Sequence, residues 1–258
     1  MPVAALYDLH GNLPALEAVL EDLDRAGAER ILIGGDVAYG PFVRETLDRL
    51  LALGDRAVWI RGNADRELVE FFDEAPSCEH FPEDTRRALA WETARLDRAH
   101  RDVLAALPPS RRLEVPGLGP VLFCHGSPRS DEEIITAVTP DARLRRLLGG
   151  VKERVVVCGH THVQFVRELD GVRVVNAGSA GLPYQEPGGA YWALLGPGVE
   201  LRRTAYDLGR AARLVRGSGH PLAETFARTL EQPPSAGETG AFLERLARRR
   251  EEESGAQV

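Results

Sequence analysis

The chain has little lysine, few cysteines and no long apolar run. Lys152 is the only lysine, so the positive charge is almost entirely arginine. That is first a matter of genome composition. The 32 basic residues face 39 Asp and Glu, a formal net charge of −7. Coating nucleic acid requires a basic footprint, and this balance argues against it. A nucleic-acid substrate is disfavoured without being excluded, and a small phosphorylated ligand at one local cationic site fits. Three cysteines without regular spacing, Cys78, Cys124 and Cys158, make neither a disulfide framework nor a Cys-type zinc site. No stretch approaches the ~18 apolar residues of a membrane span. The opening segment does not read as a charged and then apolar secretory leader. The expectation is a cytoplasmic protein with no membrane partner. At 258 residues, 43% hydrophobic and 28% charged, the chain is long and apolar enough to bury a core without staples.

Short apolar runs alternate with helix-period segments. Val3–Tyr7, Ile31–Ile33, Val58–Ile60, Val121–Cys124, Arg154–Cys158 and Val172–Val175 read as buried strands. Leu13, Leu16, Leu20 and Leu23 fall at helical spacing, with Asn12 as N-cap and Gly27 as stop. Leu47, Leu50 and Leu51 mark a second helix, and Leu144, Leu147 and Leu148 a third after Thr139-Pro140. This alternation predicts an α/β sheet. Residues 66–107 read as a helical insertion, with a broken helical stretch from Glu83 to Leu107. Ala190–Leu195 and Val199–Tyr206 form a last strand pair around Gly196-Pro197-Gly198. Residues 208–250 are helical by pattern, with breaks at Gly217–Pro221 and Gln232–Gly237, and Arg248–Val258 is expected to fray.

The turns that close the strands carry the chemistry. Asp8-Leu9-His10, Gly35-Asp36, Gly62-Asn63-Ala64-Asp65, His125-Gly126 and Gly159-His160-Thr161-His162 each end an apolar run. In open α/β sheets ligands gather at the carboxyl ends of strands. Side chains two apart on extended backbone share a face, so Asp8 with His10, and His160 with His162, can each share a metal site. Together two Asp, one Asn and four His can converge. That is too many for one tetrahedral zinc, and it suits two divalent ions sharing a carboxylate. A set of O and N donors fits Mn²⁺, Fe²⁺, Ni²⁺, Co²⁺ or Zn²⁺ and not a soft thiolate site. Cys124 and Cys158 lie off the alternation that faces the site and are assigned to packing. His80, His100 and His220 have no ligand neighbour and are assigned to the surface or to packing. Ala177-Gly178-Ser179-Ala180-Gly181 approaches a nucleophile elbow, but Ala177 stands where the first glycine belongs and no acid–histidine pair comes after it.

In order and spacing, these motifs resemble the calcineurin-like metallophosphoesterase superfamily, most of all its small bacterial and archaeal phosphodiesterase branch, over roughly residues 3–206. The resemblance implies a four-layer αββα sandwich of two mixed sheets flanked by helices. It implies a metallophosphoesterase domain over residues 1–206, with residues 207–258 as a helical extension packed on it. One metal would be held by Asp8, His10 and His162, a second by Asn63, His125 and His160, and Asp36 would bridge them. Asp36, Asn63 and His125 would thereby act directly in catalysis. Two ions, Mn²⁺ first among them, would activate a bridging hydroxide for in-line attack on phosphorus.

Many members carry a His after the Gly-Asn pair to protonate the leaving group, and here that residue is Ala64. Such an acid typically contributes about 10²–10⁴-fold, so the expectation is diesters or substrates with good leaving groups. Asp65 is expected to orient a ligand histidine. Arg129 is the candidate cation for the phosphoryl oxygens, and Tyr39 and Asn176 are candidates to line the substrate pocket. Dinucleoside polyphosphate hydrolysis, protein phosphatase activity and a non-catalytic scaffold are the competing readings. The exposed faces of the insertion and C-terminal helices are available for homo-oligomer contacts.

Overall fold

The computed structural model describes residues 2–255. Among them the chain forms ten strands and nine α-helices in two mixed sheets. In the first sheet β1 (Val3–Leu6), β2 (Arg30–Ile33) and β3 (Ala57–Trp59) run parallel, joined by α1 (Leu13–Arg25) and α2 (Val43–Leu51). The second holds β4 (Ser110–Val115), β5 (Gly119–Cys124), β6 (Val155–Cys158), β7 (Phe165–Leu169) and β8 (Val172–Asn176), with β5, β6 and β8 parallel. The strands β9 (Ala190–Leu195) and β10 (Val199–Thr204) return to the first sheet, β9 antiparallel to β1. The sheet orders are β10-β9-β1-β2-β3 and β4-β5-β6-β8-β7.

Period-two alternation sorts the side chains into layers. Val3 and Ala5 of β1 pack with Leu32, Val121, Phe123, Val155, Val157 and Val175 between the sheets. Ala4 and Leu6 face the other way, onto Leu16, Leu20 and Leu23 of α1 and Leu47 and Leu50 of α2. On the far side Leu122, Val156 and Val174 pack under Leu144 and Leu147 of the helix that links β5 to β6. Helix, sheet, sheet and helix therefore stack as four layers. Asn12 caps α1 by accepting from the Ala15 N–H at 3.2 Å.

The segment read as an insertion forms α3 (Asn63–Phe72), α4 (Glu83–Thr93) and α5 (Arg98–Ala105), and the β5–β6 link is α6 (Asp141–Leu147). The first insertion helix begins at Asn63 itself, earlier than residue 66. After β10 come α7 (Leu208–Gly217), α8 (Ala223–Glu231) and α9 (Ala236–Gly255). No helix of the described residues is long and apolar enough to cross a membrane.

Two strands have no counterpart in the apolar pattern of the sequence. Both β4 and β7 are sheet edges, and their Ser-Arg-Arg-Leu-Glu-Val and Phe-Val-Arg-Glu-Leu segments carry charge because one side meets water. Helix α9 also continues past Arg248, where fraying was expected; residues 256–258 lie outside the described residues. Charge holds it. Arg143 of α6, only 8% exposed, reaches Glu244 at 3.2 Å and Glu251 at 2.8 Å and donates to the Ile134 carbonyl. Glu244 is itself buried and also accepts from Thr136 and Thr139.

Removing one partner of a buried ion pair costs about 3–5 kcal/mol. Arg143→Ala is therefore expected to lower unfolding free energy by about 3 kcal/mol in a urea titration. A loss below about 0.5 kcal/mol, the range of ordinary surface changes, would show that α9 is not anchored there.

Candidate metal centre

Register places the chemistry. Leu6 pairs with Ile33 and Ile33 with Trp59, so the chain leaves β1, β2 and β3 at one edge. Phe123 pairs with Val157 in the facing sheet, so His125 and His160 leave at the corresponding edge. The donors converge into two clusters, Asp8 with His10 and His162, and Asp36 with His125 and His160, each within 4.8 Å.

Convergence does not come from extended alternation. Asp8, His10, Asp36, His160 and His162 all have positive φ, between 45° and 66°. Such backbone is costly for residues other than glycine and persists where the surroundings impose it. Two of the impositions are visible. A Cβ on Gly62 would lie 2.1 Å from Asp36 Oδ1, and one on Gly159 would lie 2.6 Å from Asp8 Oδ2, so the loops touch through bare backbone. One consequence corrects a local expectation: His160 and His162, two residues apart, go to different clusters.

The imidazoles are aimed by backbone carbonyls. His10 Nδ1 meets Ala38 O at 3.1 Å and Tyr39 O at 3.2 Å, His125 Nδ1 meets Gly34 O at 2.9 Å, and His162 Nδ1 meets Leu182 O at 2.6 Å. A carbonyl only accepts, so each Nδ1 bears a proton and each ring turns its Nε2 inward. His10 Nε2 and His162 Nε2 then face each other at 3.1 Å. Asp36 Oδ2 lies between the clusters, 3.3 Å from His125 Nε2 and 3.9 Å from His10 Nε2. Asp8 Oδ1 lies 3.4 Å from His162 Nε2 and 3.7 Å from His125 Nε2. Inward-facing imidazole nitrogens beside two buried carboxylates suit a cation.

Orphaned atoms point the same way. Asp8 Oδ1, Asn63 Oδ1 and His125 Nε2 are buried without a hydrogen-bond partner. Buried polar atoms are rarely left so, and these three are O and N donors of the kind divalent ions take. Asn63 turns its amide through Glu67, whose carboxylate accepts from Nδ2 at 3.3 Å. Sheet-end position, donor types and unpartnered atoms thus describe two adjacent candidate metal-ligand groups.

A model of the calcineurin-like phosphoesterase superfamily domain matches residues 1–195. The chain belongs to the calcineurin-like phosphoesterase superfamily. An uncharacterized protein of Methanocaldococcus jannaschii is 25% identical over 228 residues, covering 81% of this chain and 89% of that one. A metallophosphoesterase from Sphaerobacter thermophilus superposes with a TM-score of 0.72 at 25% identity, over 90% of this chain and 98% of the other. A hypothetical protein from Pyrococcus horikoshii superposes at 0.76 with 22% identity, over 89% and 97%, a likeness of fold.

Within this phosphoesterase frame several expected residues stand elsewhere. Arg129 pairs with Glu133 at 2.5 Å and lines a surface hollow of about 590 Å³ with Arg143, Arg146 and Glu251, none of them in either cluster. Asn176 is fully buried, donating to Gly159 O and Thr161 Oγ1 and accepting from Gly178 N, so it braces the His160 loop and lines no open pocket. Asp65 contacts no histidine. Its carboxylate accepts from the N–H groups of Asp36, Val37, Ala38 and Gly62 and so holds the Asp36 loop. Tyr39 does stand at the site, its ring edge-on to His10 at 6.4 Å. Ser179 of the rejected elbow is consumed, donating to Asp8 O and accepting from Leu182 N. Tyr184, unforeseen, stacks on His162 at 4.4 Å; a lone tyrosine in a Pro- and Gly-rich loop gives no spacing signal.

Charge coupling is strong. Burial would push His125 down, but the Asp36 and Asp8 carboxylates outweigh it and take it up to about 10. Burial and the neighbouring His125 push His160 down to about 4. Burial and Asp36 push Asp65 up to about 6.

In the metal-free protein the raised His125 stabilises the fold fully below its ordinary value of 6.5, and that contribution disappears as pH rises toward about 10. Thermal scans of metal-free protein should therefore show Tm falling over that window. Asp36→Asn, which removes the raising carboxylate, should flatten the fall. A wild-type Tm that holds level across the window contradicts this.

Proposed function

We propose that this phosphoesterase is a metal-dependent phosphodiester hydrolase. The observation that carries the reading is the inward aim of carbonyl-braced Nε2 atoms and orphaned Asp8 and Asn63 oxygens at one buried space. Asp8, His10 and His162 would hold one divalent ion, Asn63, His125 and His160 a second, with Asp36 shared between them. Mn²⁺ is the proposed ion, and the O and N donors also admit Fe²⁺, Ni²⁺, Co²⁺ or Zn²⁺. When bound, such ions neutralise phosphoryl charge and make water nucleophilic at neutral pH.

The chain's own residues hold that arrangement. Asp36 is fixed at Oδ1 by the Ala64 N–H at 2.8 Å, and its loop by Asp65. Asn63, a neutral ligand, leaves its ion more electrophilic than a carboxylate would. Position 64 supplies no acid, because the Ala64 methyl is 4% exposed and packs in the helix-side core. Leaving groups must therefore depart without a proton from that position. Glu67, half-buried against Asn63 and pushed up to about 7 by burial, adds negative charge there once it ionises, which disfavours a dianionic monoester relative to a monoanionic diester. Natural substrates on this reading are small phosphorylated molecules.

The test is hydrolysis of bis-p-nitrophenyl phosphate beside p-nitrophenyl phosphate, with chelator-stripped protein and Mn²⁺ restored. The expected result is Mn²⁺-dependent turnover that favours the diester. Asp36→Asn should lose more than roughly 100-fold, beyond the 10–100-fold typical of contacts outside the ligands, while Arg129→Gln stays near wild type. Preference for the monoester would overturn the diester assignment, and turnover without metal would overturn the mechanism.

A further inference from the structure

The loop that aims His10 is itself held from outside the sheets. Ala38 and Tyr39 supply the two carbonyls on His10 Nδ1, and Tyr39 is strained, with φ of 66°. The neighbouring N–H groups of Tyr39 and Gly40 donate to Glu92 Oε2 at 2.9 Å and Oε1 at 2.8 Å. Glu92 lies on α4 of the insertion and is fully buried. Its third partner comes from the opposite end of the chain. His220, in the connection between α7 and α8, places Nε2 3.3 Å from Glu92 Oε1. Leu222 N donates to His220 Nδ1 at 3.1 Å, so the His220 proton sits on Nε2 and points at the carboxylate. Trp91 and Phe226 wall the imidazole at 5.0 and 5.5 Å.

A buried carboxylate is costly unless its oxygens are fully engaged. Here three donors engage it, and two of them belong to the backbone that fixes His10. Neither Glu92 nor His220 belongs to either donor cluster. The two helical additions thus meet at a buried pair whose grip passes to a single imidazole.

We infer that Glu92 and His220 are positioning residues for His10: together they fix the Ala38–Gly40 loop, and through it the direction of His10 Nε2. Metal affinity at the Asp8–His10–His162 cluster then depends on α4 and on the α7–α8 connection, which gives both additions a role in the site. This inference rests on the metal reading proposed for the two clusters.

Mn²⁺ titration calorimetry on chelator-stripped protein tests it, with His10→Ala identifying the binding event that belongs to the His10 cluster. Glu92→Gln keeps the size but replaces one acceptor oxygen with an amide donor. His220→Leu removes the donor, and His220→Gln restores one. The expected result is a roughly 10-fold or larger loss of affinity in the His10 event for Glu92→Gln and His220→Leu. The other event should be unchanged, and His220→Gln should lie close to wild type. A merely structural role would lower Tm without separating the two events. Wild-type affinities in both variants, or equal weakening of both events, overturn this inference alone. A wild-type protein that takes up no Mn²⁺ overturns the metal reading and this inference with it.

Discussion

Everything in this structure turns on imidazole rings pinned by carbonyls. His10, His125 and His162 each give an Nδ1 proton to main-chain oxygen, so each Nε2 points inward. The Nε2 atoms of His10 and His162 meet at 3.1 Å, with the Asp8 and Asp36 carboxylates buried beside them. Such a group of donors is unfavourable by itself and favourable around positive charge. The fold is arranged to make it. Parallel strands end in register, two sheets face each other, and left-handed residues turn the chain sharply at the edge.

The loops form a mutually dependent set. Asp65 ties the β2 loop to the start of α3 by four main-chain hydrogen bonds. Asn176 ties the β6 loop to the end of β8, and Ser179 ties the β8 loop to Asp8. The backbone strain stored at Asp8, His10, Asp36, His160 and His162 is thus held by side chains that never touch the central space. The helices outside the sheets also reach back toward the site, through Glu92 on the Tyr39 and Gly40 N–H groups.

Much of the architecture was legible because apolar runs ended in donor-rich turns. The parallel strands are mostly buried and mostly apolar, and the helices of the first layer show clear Leu spacing. The edge strands β4 and β7 were not legible, since Arg111, Arg112, Arg167 and Glu168 lie on partly solvated strands and mimic loop composition. The grouping of donors shows a second limit. Alternation paired His160 with His162, whereas left-handed backbone at both sends them to different clusters, and only the resemblance separated them. The engagement of Arg129 and Asn176 away from the clusters was hidden for a third reason. Proximity in sequence to His125 and Gly178 says nothing of side-chain direction, and each is satisfied by partners away from the clusters. Glu92 and His220 are 128 residues apart, and no local pattern links them.

On the proposed reading the two clusters hold a pair of divalent ions joined through Asp36. Electron paramagnetic resonance of Mn²⁺-loaded protein, with metal content measured on the same sample, addresses it most directly. The account predicts two Mn²⁺ per chain with an exchange-coupled spectrum, and loss of the coupling in Asp36→Asn. One Mn²⁺ per chain, or two with the spectrum of isolated ions, would contradict it.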